Sequence, residues 1–112
     1  MWIVLSTIVQ SAVSAYHARL DEELPGRALR VVLFGSWARG EAHQESDVDV
    51  FVLLAGDATS QERARVIDIG AAVGFAHSLP FAPLVLTETE YSDMVRRERL
   101  LPREIERDGV DA

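Results

Sequence analysis

Cysteine and lysine are both absent from this 112-residue chain. Without cysteine there are no disulfides, no thiolate metal sites and no cysteine nucleophile. That composition fits a reducing compartment. Without lysine there is no Schiff-base chemistry and no phosphate-loop lysine of the Walker type. All 11 basic residues are arginine, and acidic residues outnumber them, leaving a formal charge of −7. Such a negative field excludes a general duplex-DNA binder, whose affinity comes mainly from cationic contacts to phosphate. No apolar run approaches the roughly 20 residues of a membrane span. The start, Met1-Trp2-Ile3-Val4-Leu5, lacks the basic region that opens a signal peptide. Repeats, low-complexity tracts and long linkers are missing too. What is present is 48% apolar residues, enough for one core. Residues 1–112 therefore read as a single cytoplasmic domain.

Leu5, Ile8, Val9, Ala12, Val13, Tyr16, Leu20 and Leu24 recur at spacings of three and four. They predict an amphipathic helix over residues 2–24, closed by Pro25-Gly26. Its apolar stripe serves core packing or a homo-oligomer interface equally well. Leu29 to Phe34 and Asp47 to Leu54 read as strands, as does Phe81 to Leu86, where Pro83 implies an edge or a bulge. Thr59-Ser60-Gln61-Glu62 and Thr87-Glu88-Thr89-Glu90 match capping boxes that open helices. Within the first of these, which runs to about Ala76, Gly70 and Gly74 suit close packing on a sheet. Pro102 is expected to start a last short helix, with Gly109 near its end. The order α-β-β-α-β-α-α is that of a small mixed α/β (α+β) domain, a mixed sheet with flanking helices.

Aspartate is depleted in strands, yet Asp47 and Asp49 sit in a run otherwise made of valine, phenylalanine and leucine. Strand alternation places both on one face, with Cα atoms roughly 6.5–7 Å apart. Paired carboxylates repel unless a cation joins them, and oxygen-only ligands suit Mg²⁺ or Mn²⁺. A charged strand end that discourages edge pairing is the equal alternative for the aspartates alone. The connection from Gly35 to Ser46 is too short for a parallel crossover carrying a full helix. It has room for one helical turn, ended by Gly40. The first two strands are therefore expected to be antiparallel, which brings Gly35-Ser36 beside Asp47 and Asp49. Gly35 lets backbone approach a ligand closely. Ser36 and the free N–H groups of a helical turn suit phosphate oxygens.

Gly35-Ser36, ten residues, then Asp47-Val48-Asp49 resembles the signature of the DNA polymerase beta-like nucleotidyltransferase superfamily. The fuller string GSWARGEAHQESDVDVFVLL is similar to its minimal nucleotidyltransferase group, with its G-S-x-A-R-G and S-D-x-D segments. The resemblance implies that Gly35, Ser36 and nearby backbone N–H groups hold a nucleoside triphosphate, ATP being the first candidate. It implies that Asp47 and Asp49 hold Mg²⁺ or Mn²⁺, and that a nucleoside monophosphate passes to an acceptor hydroxyl with release of pyrophosphate. It also implies a HEPN-type protein partner of the toxin–antitoxin kind, on which the acceptor can lie. The alternative is a catalytically silent nucleotide- and metal-binding module, antitoxin-like, that neutralises or scaffolds such a partner.

The superfamily places a third carboxylate on a later strand, but Phe81 to Leu86 contains no acid. Glu88, just beyond it, is the candidate for that role, although a carboxylate at a helix start is more commonly a cap. Arg39 can fork onto a phosphate or pair with Glu41, Glu45 or an aspartate. Trp37 can stack on a base, but packing of the loop is the commoner use. His43 reads as a solvated loop histidine, and His17 and His77 have no ligand partners in sequence. Asp93 with Arg97, and Glu104 with Arg107, are expected helix-surface pairs within the arginine-rich segment from Arg96 to Arg107.

Overall fold

The computed structural model of the chain describes residues 2–43 and 46–112. In order, the elements are α1 (Trp2–Glu23), β1 (Ala28–Phe34), α2 (Ser36–Arg39), β2 (Val48–Leu54), α3 (Ser60–Ala76), β3 (Phe81–Thr87), α4 (Glu88–Arg96), α5 (Leu100–Asp108) and β4 (Val110–Asp111). The strands form one sheet in the order β3-β2-β1-β4. β1 runs antiparallel to β2 and to β4, while β2 and β3 are parallel, joined by the crossover helix α3. The mixed sheet and the antiparallel β1–β2 pair are as the sequence led one to expect. Pro83 lies on β3, an outer strand, where its missing N–H interrupts no ladder on the far side.

Helices cover both faces of the sheet. α1 and α3 bury Val9, Val13, Tyr16, Ile69 and Val73 against Val31, Leu33, Val50 and Val52. On the opposite face Val32, Phe51 and Leu53 meet Ile105 and Leu101 of α5 and Tyr91 of α4. β2 is thus covered on both sides, which is why it reads as an almost continuous apolar run. By strand alternation Asp49 shares the α5-facing side with Phe51 and Leu53.

Local chemistry sets the element ends. The Thr59 hydroxyl accepts the Glu62 backbone N–H at the start of α3. At α4 the full reciprocal box forms between Thr87 and Glu90. The Glu62 carboxylate turns instead to Arg27, 2.7 Å away. The start of β2, the start of α5 and the presence of β4 differ from expectation. β2 begins at Val48, so Asp47 precedes the strand. α5 begins at Leu100, and Pro102 falls inside its first turn, where the N–H groups lack intrahelical partners anyway. β4, two residues long, was not expected at all.

Gly70 and Gly74 form the tight contact of α3 with its neighbours. A Cβ at Gly70 would lie 2.9 Å from the Pro83 ring and 3.0 Å from Tyr16. One at Gly74 would lie 2.7 Å from the Leu79 carbonyl oxygen. Alanine is the better helix former by about 1 kcal/mol, but the obstruction at Gly74 is backbone and cannot step aside. Gly74→Ala is therefore expected to destabilise the chain, by about 1–3 kcal/mol for an overpacked contact. A urea midpoint that falls at unchanged m-value is the measurement; an unchanged or higher midpoint would refute the packing argument.

Candidate active site

The end of β1 and the start of β2 build the site. Phe34 pairs with Asp49 across the antiparallel ladder, so the turn after Phe34 lies against the Asp49 side chain. Gly35 has φ 74° and ψ −153°, a backbone conformation open essentially only to glycine. A Cβ there would fall 2.1 Å from Asp49 Oδ2. The absent side chain is thus the space that the carboxylate fills. Gly35 turns the chain into α2, a single helical turn ended by Gly40 in the left-handed conformation. Ser36 opens that turn and Arg39 closes it, so both stand on the short element beside Asp49.

The loop back to β2 is held by its own contacts. The Ser46 hydroxyl accepts the His43 backbone N–H at 3.0 Å, and the Ser46 carbonyl accepts the Trp37 indole N–H at 3.3 Å. Trp37 is buried, so it packs the loop onto the domain rather than presenting a face for stacking. Asp47 is exposed and Asp49 half-buried. Burial first, then the negative charges of Asp47 and Glu104, push the Asp49 carboxyl above its ordinary range; Arg39 opposes them. An anionic pair held beside an open turn, with its charge unfavourable as it stands, is a donor set whose charge a cation would neutralise.

A family model described as a nucleotidyltransferase domain matches residues 17–104, most of the chain and the whole of this site. The chain belongs to the nucleotidyltransferase family. Two candidate protein adenylyltransferases of Methanocaldococcus jannaschii are similar to it. One is 37% identical over 60 residues, covering 54% of this chain and 61% of the relative. The other is 38% identical over 48 residues, covering 43% and 46%. The chain thus spans about half the length of these curated relatives. Among solved structures, a toxin–antitoxin with AMP-PNP superposes with TM-score 0.57 at 19% identity, covering 87% of this chain and 69% of that one. A mutant of the toxin–antitoxin MntA-HpeT gives 0.55 at 18% identity, covering 84% and 67%. At that identity the likeness is one of fold.

Not every candidate residue reaches the site of this nucleotidyltransferase domain. Asp49 pairs with Ala82 on β3, whereas Leu54 pairs with Thr87, the residue before Glu88. Glu88 therefore lies beyond the opposite end of the sheet, roughly 17 Å along the strand direction at 3.3 Å per residue. Its carboxylate accepts the Gly56 backbone N–H at 2.7 Å. It ties down the β2–α3 turn and is not brought to Asp47 and Asp49. The β3 positions on the Asp49 side, Ala82 and Leu84, carry no acid.

A different carboxylate approaches instead. Glu104 of α5 accepts a hydrogen bond from Arg39 Nη1 at 3.0 Å, while Arg39 Nε donates to Glu41 at 3.1 Å. The expected Glu104–Arg107 pair does not form; Arg107 bonds the neighbouring Asp108. Asp93 does pair with Arg97, and also with Arg96. Glu45, another expected partner for Arg39, lies outside the described residues. Nothing local in the sequence points to Glu104, because its partner stands 65 positions earlier.

The donor set fits a hard divalent cation. Asp47 and Asp49 offer only oxygens, and Gly35 leaves room for the Asp49 carboxylate against the β1–α2 turn. Among the described residues no group of three acidic, histidine or cysteine side chains could hold a metal. Mg²⁺ is commonly bound by one or two carboxylates with substrate phosphates and water completing the shell.

Proposed function

We propose that this chain transfers a nucleoside monophosphate from a nucleoside triphosphate, ATP by preference, to a hydroxyl group on a partner protein. The contact of Asp49 with Gly35 carries the reading, because it joins a cation-seeking carboxylate to a turn open to phosphate. Asp47 and Asp49 hold Mg²⁺ or Mn²⁺. Gly35, Ser36 and the first N–H groups of α2 receive phosphate oxygens. When bound, the cation supplies charge neutralisation at the phosphates and lowers the pKa of the acceptor hydroxyl. The acceptor oxygen bonds to the α-phosphorus, the bond from that phosphorus to the α,β-bridging oxygen breaks, pyrophosphate leaves, and the hydroxyl proton passes to solvent. Placement does most of the remaining work, since a phosphoryl group in flight needs little covalent help. A protein acceptor is supported by the names of the curated relatives and by the toxin–antitoxin assemblies that share the fold. We take that partner to be HEPN-type.

A second reading has its own observation. No acid stands on β3 beside Asp49, and two edges of Arg39 are already on carboxylates. A catalytically silent nucleotide- and metal-binding module, acting on its partner by contact alone, is the reading those facts favour.

One experiment separates them. The protein is incubated with triphosphates labelled at the α-phosphate, with Mg²⁺ or Mn²⁺ and with a HEPN-type partner. Label on the partner that disappears in Asp47→Asn and persists in Glu88→Gln supports the transferase. Absence of label, with thermal stabilisation by metal and triphosphate, supports the silent module. Absence of both results defeats the site assignment.

A further inference from the structure

α5 adds a residue to this site, and its role rests on the nucleotide-binding reading above. We propose that Glu104 is a positioning residue, clamping the Arg39 guanidinium between itself and Glu41 so that Nη2 is left for the phosphates. A guanidinium has five N–H donors in a rigid planar fork. Here Nε goes to Glu41 at 3.1 Å and Nη1 to Glu104 at 3.0 Å. Nη2 is left without a partner among the described residues. Two carboxylates on two sides fix the plane of the group, and a fixed fork loses less freedom when it meets an anion.

The clamp has a rigid support. Ile105, next to Glu104, is buried against Val32 and Phe51. Gly109 at the end of α5 is so close to β1 that a Cβ would meet Val32 Cγ1 at 2.6 Å. β4 then pairs with β1 through Leu33–Val110 and Val32–Asp111. Arg30 of β1 bonds Glu106 at 2.7 Å and Asp111 at 3.2 Å. β1 therefore carries the Gly35 turn at its end and fixes the helix that presents Glu104. α5 is attached to β1 by these contacts, so the Arg39–Glu104 contact acts as a brace.

The sign of one substitution tests this. Glu104 is a negative charge near Asp49 and near the place for a polyanion. If it acted only as a charge, neutralising it would tighten nucleotide binding. If it clamps Arg39, neutralising it weakens binding. The Kd of AMP-PNP with Mg²⁺ is measured by calorimetry on the full chain. Glu104→Gln is expected to raise Kd about tenfold, the worth of one charge-assisted hydrogen bond. In an Arg39→Gln background the same change should no longer weaken binding, because there is no guanidinium left to place and only the loss of a negative charge remains. Glu104→Asp, which keeps the carboxylate, should recover part of the affinity. Glu104 is one-third exposed, so its variants should fold, and their thermal midpoints check that. Equal or tighter binding by Glu104→Gln overturns the clamp, as does an equal loss in both backgrounds. If the unsubstituted chain binds no nucleotide, the nucleotide reading falls and the clamp with it; if it binds and Glu104→Gln does not weaken it, only the clamp falls.

Discussion

Asp49→Asn is expected to abolish metal-dependent nucleotide transfer while making the metal-free protein more stable. The loss should reach about 100-fold or more, as for removal of one strong electrostatic contact to a developing charge. Asparagine keeps the shape that fills the space above Gly35 but offers one neutral oxygen instead of a carboxylate. The gain has a separate cause. Burial, with Asp47 and Glu104 nearby, disfavours the Asp49 charge in the folded chain. Its folded pKa is raised above the ordinary 3.8, so this residue's contribution to stability is intact below that value and is lost as pH rises through the raised value. In EDTA the variant should therefore match the parent in strongly acidic solution and exceed it at neutral pH, by about a few degrees in thermal midpoint. Adding Mg²⁺ with AMP-PNP should reverse the order, since only the parent has the ligand to be stabilised by mass action. A variant less stable than its parent at neutral pH in EDTA would show that Asp49 is held by contacts stronger than the repulsion around it.

The same residue shows what was legible in the sequence. Two aspartates at the head of an apolar run broke the local pattern, and the short connection from Gly35 to Ser46 forced the antiparallel pairing that brings Gly35 beside them. The capping threonines, Thr59 and Thr87, and the edge proline Pro83 were readable because each acts within a few residues of itself. β4 was not, because two residues at the chain end carry no period; β1 and the Gly109 contact hold it in place. Glu104 was misread for a related reason. On a helix surface Arg107 is its natural neighbour, but Arg107 took the adjacent Asp108, and α5, pinned by Ile105, delivered Glu104 to Arg39. Glu88 was misplaced by the assumption that nearness in sequence to the end of β3 means nearness to the site. β2 and β3 are parallel, so the end of β3 lies beside the end of β2 and away from its acidic start.

Gly35→Ala is expected to remove nucleotide binding. Gly40 offers the comparison. It too has positive φ, 76°, but with ψ 22° it sits in the left-handed helical region that asparagine also visits. For backbone conformation alone, Gly40→Asn should be the milder change. Gly35, at ψ −153°, occupies a region closed to side chains, and strain of that kind costs about 1–3 kcal/mol. Its new methyl would also meet Asp49 Oδ2 at 2.1 Å. The obstruction is the end of a side chain, so one response is for Asp49 to rotate away, which spares the fold and empties the site of its half-buried carboxylate. The other is for the β1–α2 turn to unwind, which drags Ser36 and Arg39 out of place. Both responses remove nucleotide binding. The thermal midpoint separates them: a fall of roughly 10 °C or more, for the strain and overpacking together, marks the unwound turn. A small fall with binding lost marks the rotated carboxylate. A variant that still binds AMP-PNP and Mg²⁺ as the parent does would show that the close approach of Asp49 to this turn is not what makes the site.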